Sequence, residues 1–105
     1  MNKNMIINGI DNESITMYKE LTEYYGFEDI VFIDSDINKV RNLNDKFANT
    51  IAFYGNSGSA EFLEFVGINR SNSETIFVAM TSSDSVNLIS CEIAKYLSLI
   101  HIWRC

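Results

Sequence analysis

The sequence predicts an α/β domain built on a doubly wound sheet of parallel strands with helices on both faces. Three observations carry this. Short β-branched and aromatic runs, clearest at Ile30-Val31-Phe32-Ile33 and Ile76-Phe77-Val78-Ala79-Met80, alternate with stretches whose apolar residues recur at helical spacing. The strand runs are continuously apolar, the pattern of strands covered on both faces. The breaks between elements are short and rich in Gly, Asp, Asn and Ser, the residues of turns and helix caps, and proline is absent throughout.

The bulk numbers agree with one small domain of 105 residues. Hydrophobic content of 47% and charged content of 21% fit an ordinary globular chain rather than a disordered one. No apolar run approaches the roughly 20 residues of a membrane helix, so no direct membrane insertion is expected. The first residues lead into no long apolar segment of a signal peptide. A net charge of −6 argues against nucleic acid and against an anionic lipid surface. Cys91 and Cys105 form no metal spacing and fit a reduced, cytoplasmic chain.

Taken in order, the first strand is Met5 to Asn8. The first helix runs from Asn12 to Tyr25, with Ser14, Met17, Tyr18, Leu21 and Tyr25 toward the sheet and Gly26 as its stop. Ile30 to Ile33 is the second strand, and Asp34-Ser35-Asp36 ends it with good cap chemistry for the second helix. That helix turns Ile37, Val40, Leu43 and Phe47 inward. Thr50 to Tyr54 is the third strand and Gly55-Asn56-Ser57-Gly58-Ser59 a turn cluster. A short third helix buries Phe62, Leu63 and Val66 and stops at Gly67. After a polar link, Thr75 to Met80 is the fourth strand. Thr81-Ser82-Ser83-Asp84 then caps a fourth helix, whose stripe is Val86, Ile89, Ile93 and Leu97, flanked by Ser90 and Ala94. With right-handed crossovers the expected strand order is 3-2-1-4, a Rossmann-like sheet. Ligands of such sheets dock outside the strands' carboxyl ends, at the switch point between strands one and four.

The turn after the first strand is where a G-x-G-x-x-G pyrophosphate fingerprint belongs. Its spacing is kept but its glycines are mostly replaced: Gly9 stands first, Asp11 second and Ser14 third. The second glycine normally lets backbone approach the pyrophosphate, and the third lets helix and strand pack closely. If Asp11 faces a phosphate, two charges at about 4 Å repel by roughly 4 kcal/mol at an effective dielectric near 20. That is about three decades of affinity, more than the roughly 2 kcal/mol a helix dipole returns. If Asp11 caps the helix and points away, the loss is milder.

The residues around these loops resemble the N-terminal nucleotide-binding domain (RCK/KTN, TrkA-N type) of bacterial regulators of potassium conductance and uptake. The matching segments are Lys19-Glu20-Leu21, Val31-Phe32-Ile33-Asp34-Ser35-Asp36, Gly55-Asn56, Leu63-Glu64-Phe65-Val66-Gly67-Ile68 and, most specifically, Ile76 to Leu88. The resemblance covers about residues 3 to 97. It implies a non-enzymatic, cytoplasmic domain that binds NAD(H) or ATP/ADP, assembles with copies of itself and acts on a membrane potassium transporter or channel subunit. By the same resemblance Gly9 opens the pyrophosphate turn, where Asp11 and Ser14 stand in for glycines. Asp34, with Ser35 beside it, accepts the ribose hydroxyls. Gly55 and Asn56 lie by the adenine, and Thr81 lies near the far half of the ligand.

Each of these residues also has a plain structural reading. Asp34-Ser35-Asp36 can simply cap a helix, although a carboxylate there would select NAD over NADP. Asn56 is a turn former whose amide could still bond adenine. Thr81 and Asp84 are N-cap candidates. His101 has no partner at a useful spacing, Cys91 reads as a small packing residue, and the acidic pairs on the helices read as solvated faces. No Ser-His-Asp or P-loop arrangement is present, so nothing reads as catalytic and no metal site is expected. With the Gly turn degenerate, the expected cofactor is NAD(H), ATP/ADP or none.

Residues 1–96 therefore read as a partial Rossmann-like regulatory domain, and 97–105 as a non-native or truncated tail. Leu97 to Ile102 resembles the peptide encoded by a common sequencing-library transposon end. Ile100 and Ile102 could still serve as a makeshift fifth strand beside the apolar edge of the fourth. Two other functions remain open to the sequence: the N-terminal fragment of an NAD-dependent oxidoreductase, and an assembly scaffold that has lost its ligand.

Overall fold

The structure, a computed structural model, describes residues 3–25, 29–47, 50–66, 74–97 and 101–104. The expected Gly26 and Gly67 helix stops fall outside these. Strands and helices alternate as β1 (Lys3–Asn8), α1 (Asn12–Tyr24), β2 (Asp29–Asp34), α2 (Ile37–Lys46), β3 (Ile51–Tyr54), α3 (Ala60–Phe65), β4 (Glu74–Ala79), α4 (Asp84–Leu97) and β5 (His101–Arg104). All strand pairs are parallel, in the order β3-β2-β1-β4-β5. The expected 3-2-1-4 arrangement is present, with β1 central: Ile6 faces Val31 on one side and Phe77 on the other. The sheet does not stop after the fourth helix. β5 lies within the stretch read as a tail and pairs with β4, Ile102 opposite Ile76, which covers an edge that would otherwise be open.

Period-two alternation sorts the strands' apolar residues into two cores. On one face Met5, Ile7, Ile30, Phe32 and Ala52 meet Val40 and Leu43 of α2, with Met17, Tyr18 and Leu21 of α1 packed around them. Tyr18 sets its ring edge-on to Phe32 at 5.5 Å. On the other face Ile6, Ile33, Phe77 and Ala79 meet Leu63 of α3 and Cys91 and Ala94 of α4. The sheet is thus doubly wound, with α1 and α2 on one side and α3 and α4 on the other. Two predicted inward residues are not inward: Tyr25, past the end of α1, and Ile37, at the first position of α2, are both exposed. At helix ends the chain has turned off the axis that the periodicity assumes.

The larger difference is in α4. Of the expected stripe of Val86, Ile89, Ile93 and Leu97, Val86 and Ile89 are exposed, as is Leu88, whereas Ile93 is half-buried and packs against the core; the Leu97 side chain lies outside the described residues. The buried face is instead Ser90, Cys91 and Ala94, all within 1% of full burial. The reason is polar. Asn8 ends β1 with its side chain buried and needs a partner, which the Ser90 hydroxyl supplies by accepting from Asn8 Nδ2 at 3.1 Å. Ser90 Oγ in turn donates to the Asn87 carbonyl. Small side chains also let the helix lie close on β1 and β4. Cys91, expected as a reduced thiol, sits in this layer and is disulfide-bonded.

At the opposite edge β3 offers unpaired backbone, and α2 seals part of it. Asn44 Oδ1 accepts from the Ala52 N–H at 3.1 Å and Asn44 Nδ2 donates to the Ala52 carbonyl at 3.2 Å, so one side-chain amide replaces a neighbouring strand. Ile51 and Tyr54 flank this point and are exposed, the kind of edge that invites pairing with another chain. Asn44→Ala is expected to cost about 1 kcal/mol and to promote concentration-dependent association. Urea denaturation and sedimentation velocity check both; an unchanged midpoint with no added association would refute the role.

Candidate functional site

The carboxyl ends of β1, β2 and β4 meet at one rim, and two atoms of the chain decide how. Gly9 leaves β1 with φ +114°, a conformation that favours glycine. Its N–H donates to the Ile33 carbonyl at 2.9 Å. A Cβ on Gly9 would stand 2.8 Å from the carbonyl carbon and oxygen of Met80 and 2.9 Å from the Thr81 nitrogen. This glycine is therefore demanded by the close passage of the β1 turn against the end of β4. Met80 N–H donates to the Asn8 carbonyl at 2.7 Å just before it.

The second atom group is the Asp34 carboxylate at the end of β2, 9% exposed. Oδ2 accepts from the Ile10 N–H at 2.9 Å and Oδ1 from the Asp36 N–H at 2.8 Å. One side chain so ties the turn after β1 to the turn after β2, by charge-assisted bonds of the stronger kind. Asp36, not Asp34, is the N-cap of α2, accepting from the Asn38 N–H at 2.9 Å. Each Asp34 oxygen keeps a further lone pair.

Between these turns lies a cleft of about 250 Å³, slightly below the usual range for small-molecule sites. Of the residues singled out from the sequence, Gly9, Asp11, Asp34, Ser35 and Thr81 line it. Ser14 lies fully buried behind the turn, and Gly55 and Asn56 lie outside the lining. Gly55 is held against the Phe62 ring, where a Cβ would collide, and Asn56 Oδ1 closes its own turn by accepting from the Gly58 N–H. Ser57, from that same turn, reaches the cleft instead.

Asp11 takes the capping orientation. It is the N-cap of α1, with Oδ1 accepting from the Ser14 N–H at 2.8 Å, while Ser14 Oγ accepts from the Asp11 N–H at 3.0 Å. Asp11 and Ser14, at the second and third glycine places of the fingerprint, thus form a reciprocal capping box. The amides of residues 11 and 14 are spent on each other, and a carboxylate sits at the helix N-terminus. Asp34 keeps acceptor capacity of the kind a ribose diol uses, whereas the residues at the start of α1 fit a pyrophosphate poorly, since that positive end already holds a carboxylate.

Other lining residues, Lys39, Asn8 and Ser83 among them, were not singled out as site residues from the sequence. Lys39 stands three residues past the α2 cap and brings the cleft a cation; helix periodicity marked it only as surface. Asn8 was legible as a lone polar residue closing an apolar strand. Ser83 lines the cleft and its Oγ accepts from the Val86 N–H at 3.3 Å, taking the capping place expected for Thr81 or Asp84. Thr81 is held by Asn87 instead: its N–H and hydroxyl donate to Asn87 Oδ1 at 3.0 and 2.6 Å, and Asn87 Nδ2 returns a bond to the Thr81 carbonyl. Among the described residues, no group of three or more His, Cys, Asp or Glu side chains could hold a metal ion.

Comparison with known proteins agrees with this geometry. The family described as TrkA-N domain matches residues 5–103. Two curated relatives are each named Trk system potassium uptake protein TrkA. That of Azorhizobium caulinodans is 27% identical over 95 residues, covering 90% of this chain and 20% of the relative. That of Vibrio alginolyticus is 28% identical over 91 residues, covering 87% and 18%. The chain spans about a fifth of the length of these relatives. It belongs to the TrkA-N domain family.

If Gly9 is required by the passage against β4, Gly9→Ala will destabilise the fold by about 2–4 kcal/mol, through the left-handed backbone and the overlap together. The midpoint of urea unfolding measures this, and a loss under about 0.5 kcal/mol, within the ordinary surface range, would contradict it.

Proposed function

We propose that this TrkA-N domain is a regulatory module of a potassium uptake system that senses an adenine nucleotide and carries out no chemistry on it. The observation that carries the reading is the cleft between β1 and β4, with the buried Asp34 carboxylate at its wall and spare acceptor capacity toward a ribose diol. Ligands of doubly wound sheets dock at this switch point. An acidic residue at the end of the second strand favours the unphosphorylated ribose, hence NAD(H) or ATP/ADP over NADP. The weak element is the Gly turn, where Asp11 and Ser14 form a capping box in the place of a pyrophosphate cradle.

Regulation would proceed by population shift: a ligand that prefers one arrangement of assembled domains biases the assembly by its differential affinity, and no more. The partner would be a membrane potassium transporter or channel subunit, which this domain meets from the cytoplasm. Among the described residues no helix is long and apolar enough to cross a membrane, which fits a domain that acts through such a partner. Assembly with copies of itself is supported by α4, whose Val86, Leu88 and Ile89 leave an exposed apolar face beside the cleft, the kind of surface that marks interaction sites.

Calorimetric titration with NADH and ATP tests the reading. Weak binding near the millimolar range is expected for the native chain, lost in Asp34→Ala and strengthened when Asp11 and Ser14 are both changed to Gly. Heat from neither ligand, in the native chain or in the double variant, would leave only a scaffold that assembles without a nucleotide.

A further inference from the structure

Asp11 does more than weaken a phosphate site. Its carboxylate lies where an anion would be held at the start of α1, and it has already made the bond an anion would make, to the Ser14 N–H at 2.8 Å. The Asp11 N–H is taken by Ser14 Oγ at 3.0 Å and the Ile10 N–H by Asp34 Oδ2 at 2.9 Å. Three backbone donors around the turn are therefore satisfied by the protein's own oxygens. A phosphate entering here would have to displace them, and would meet a fixed negative charge where the fold otherwise offers positive potential.

The rest of the cleft has the opposite character. Asp34 lines it with a carboxylate whose two oxygens have each accepted one backbone bond and can accept another. Asp36 adds a second acceptor on the same side, and Ser57 and Ser83 add hydroxyls. Among the described residues Lys39 is the single cation in the lining, against Asp11, Asp34 and Asp36. A neutral polyol is matched by such a wall, and a polyanion is repelled. The volume of about 250 Å³ also suits one nucleoside better than an extended dinucleotide.

We infer that Asp11 acts as a built-in substitute for a ligand phosphate, and that the cleft takes a phosphate-free ribonucleoside, held through its ribose diol by Asp34. The inference rests on the proposed reading of the cleft as a site for the ribose of an adenine nucleotide, and departs from it in favouring a ligand without the phosphates. Asp11 is then a specificity-determining residue: it removes the advantage that phosphate has at an α-helix N-terminus.

The test compares adenosine, AMP, ADP and 2′,3′-dideoxyadenosine by calorimetry on the native chain, Asp11→Asn and Lys39→Ala. Asn is as good an N-cap as Asp, so Asp11→Asn removes the charge and keeps the helix start; unchanged urea unfolding confirms this. The native chain is expected to bind adenosine at least about tenfold more tightly than ADP, a ratio within the reach of one close like charge. In Asp11→Asn the ratio should shrink by about tenfold, with adenosine affinity itself nearly unchanged. Dideoxyadenosine should fail on all three, and Lys39→Ala should weaken ADP more than adenosine, since it removes the cleft's cation. ADP or AMP binding the native chain as tightly as adenosine would overturn the inference while sparing the nucleotide-site reading, as would a ratio insensitive to Asp11→Asn. Adenosine and both nucleotides failing on every variant would overturn the two together.

Discussion

The arrangement at the rim depends on one carboxylate. Asp34 closes β2, and its two oxygens hold the Ile10 and Asp36 amides, while its own carbonyl receives the Gly55 N–H at 3.1 Å. One residue earlier, the Ile33 carbonyl receives the Gly9 N–H. The turns after β1, β2 and β3 are all anchored to the last two residues of one interior strand, β2. Without that anchor the cleft would have no fixed wall, and the capping box at Asp11 would have no fixed position relative to it. A buried carboxylate is costly unless its oxygens are occupied; here backbone amides occupy both, so the same bonds that stabilise the charge fix the loops.

Much of this was legible in the sequence because strand patterning is a strong signal. Ile30 to Ile33 and Ile76 to Met80 are apolar on both faces, and a parallel sheet covered on both faces is what they built. Gly9 and Asp34 were legible as the two ends of a switch-point site, though each does a job that the motif does not describe: Gly9 clears Met80, and Asp34 clamps two turns. What escaped was decided by polar partnership rather than by hydrophobicity. In α4 the first half of the apolar stripe, Val86 and Ile89, is exposed while Ile93 stays against the core, because Asn8 at the end of β1 requires Ser90 and the close approach requires Ala94. Hydrophobic periodicity cannot register a buried amide 82 positions away that needs a hydroxyl. Lys39 was missed for a related reason, since a charge at the third position of a helix reads as solvent-facing unless the cleft beside it is known.

The substitution of a Gly turn by a capping box illustrates how a binding fold can change its chemistry without changing its frame. The spacing from Gly9 to Ser14 is that of a dinucleotide fold, the helix begins where that fold begins it, and Asp34 stands at the expected strand end. Only the occupant of the α1 N-terminus differs. An internal carboxylate there contributes helix stability of about 1 kcal/mol as a cap, and on the proposal above it also offsets the attraction a helix N-terminus has for an external anion. Stability of the helix start and affinity for phosphate are drawn from the same backbone N–H groups, so this chain cannot maximise both.

The dependence on Asp34 is tested most directly by residue-resolved amide hydrogen exchange on the native chain and on Asp34→Ala. The amides of Ile10 and Asp36 lie in turns, so without the carboxylate they should exchange as freely as other turn amides. The account predicts that both are strongly protected in the native chain and that both lose protection together in Asp34→Ala, with the protection of Ile6 and Ile7 in β1 largely retained. Fast exchange at Ile10 and Asp36 in the native chain would mean that the two turns are not tied, and the cleft as described would not exist.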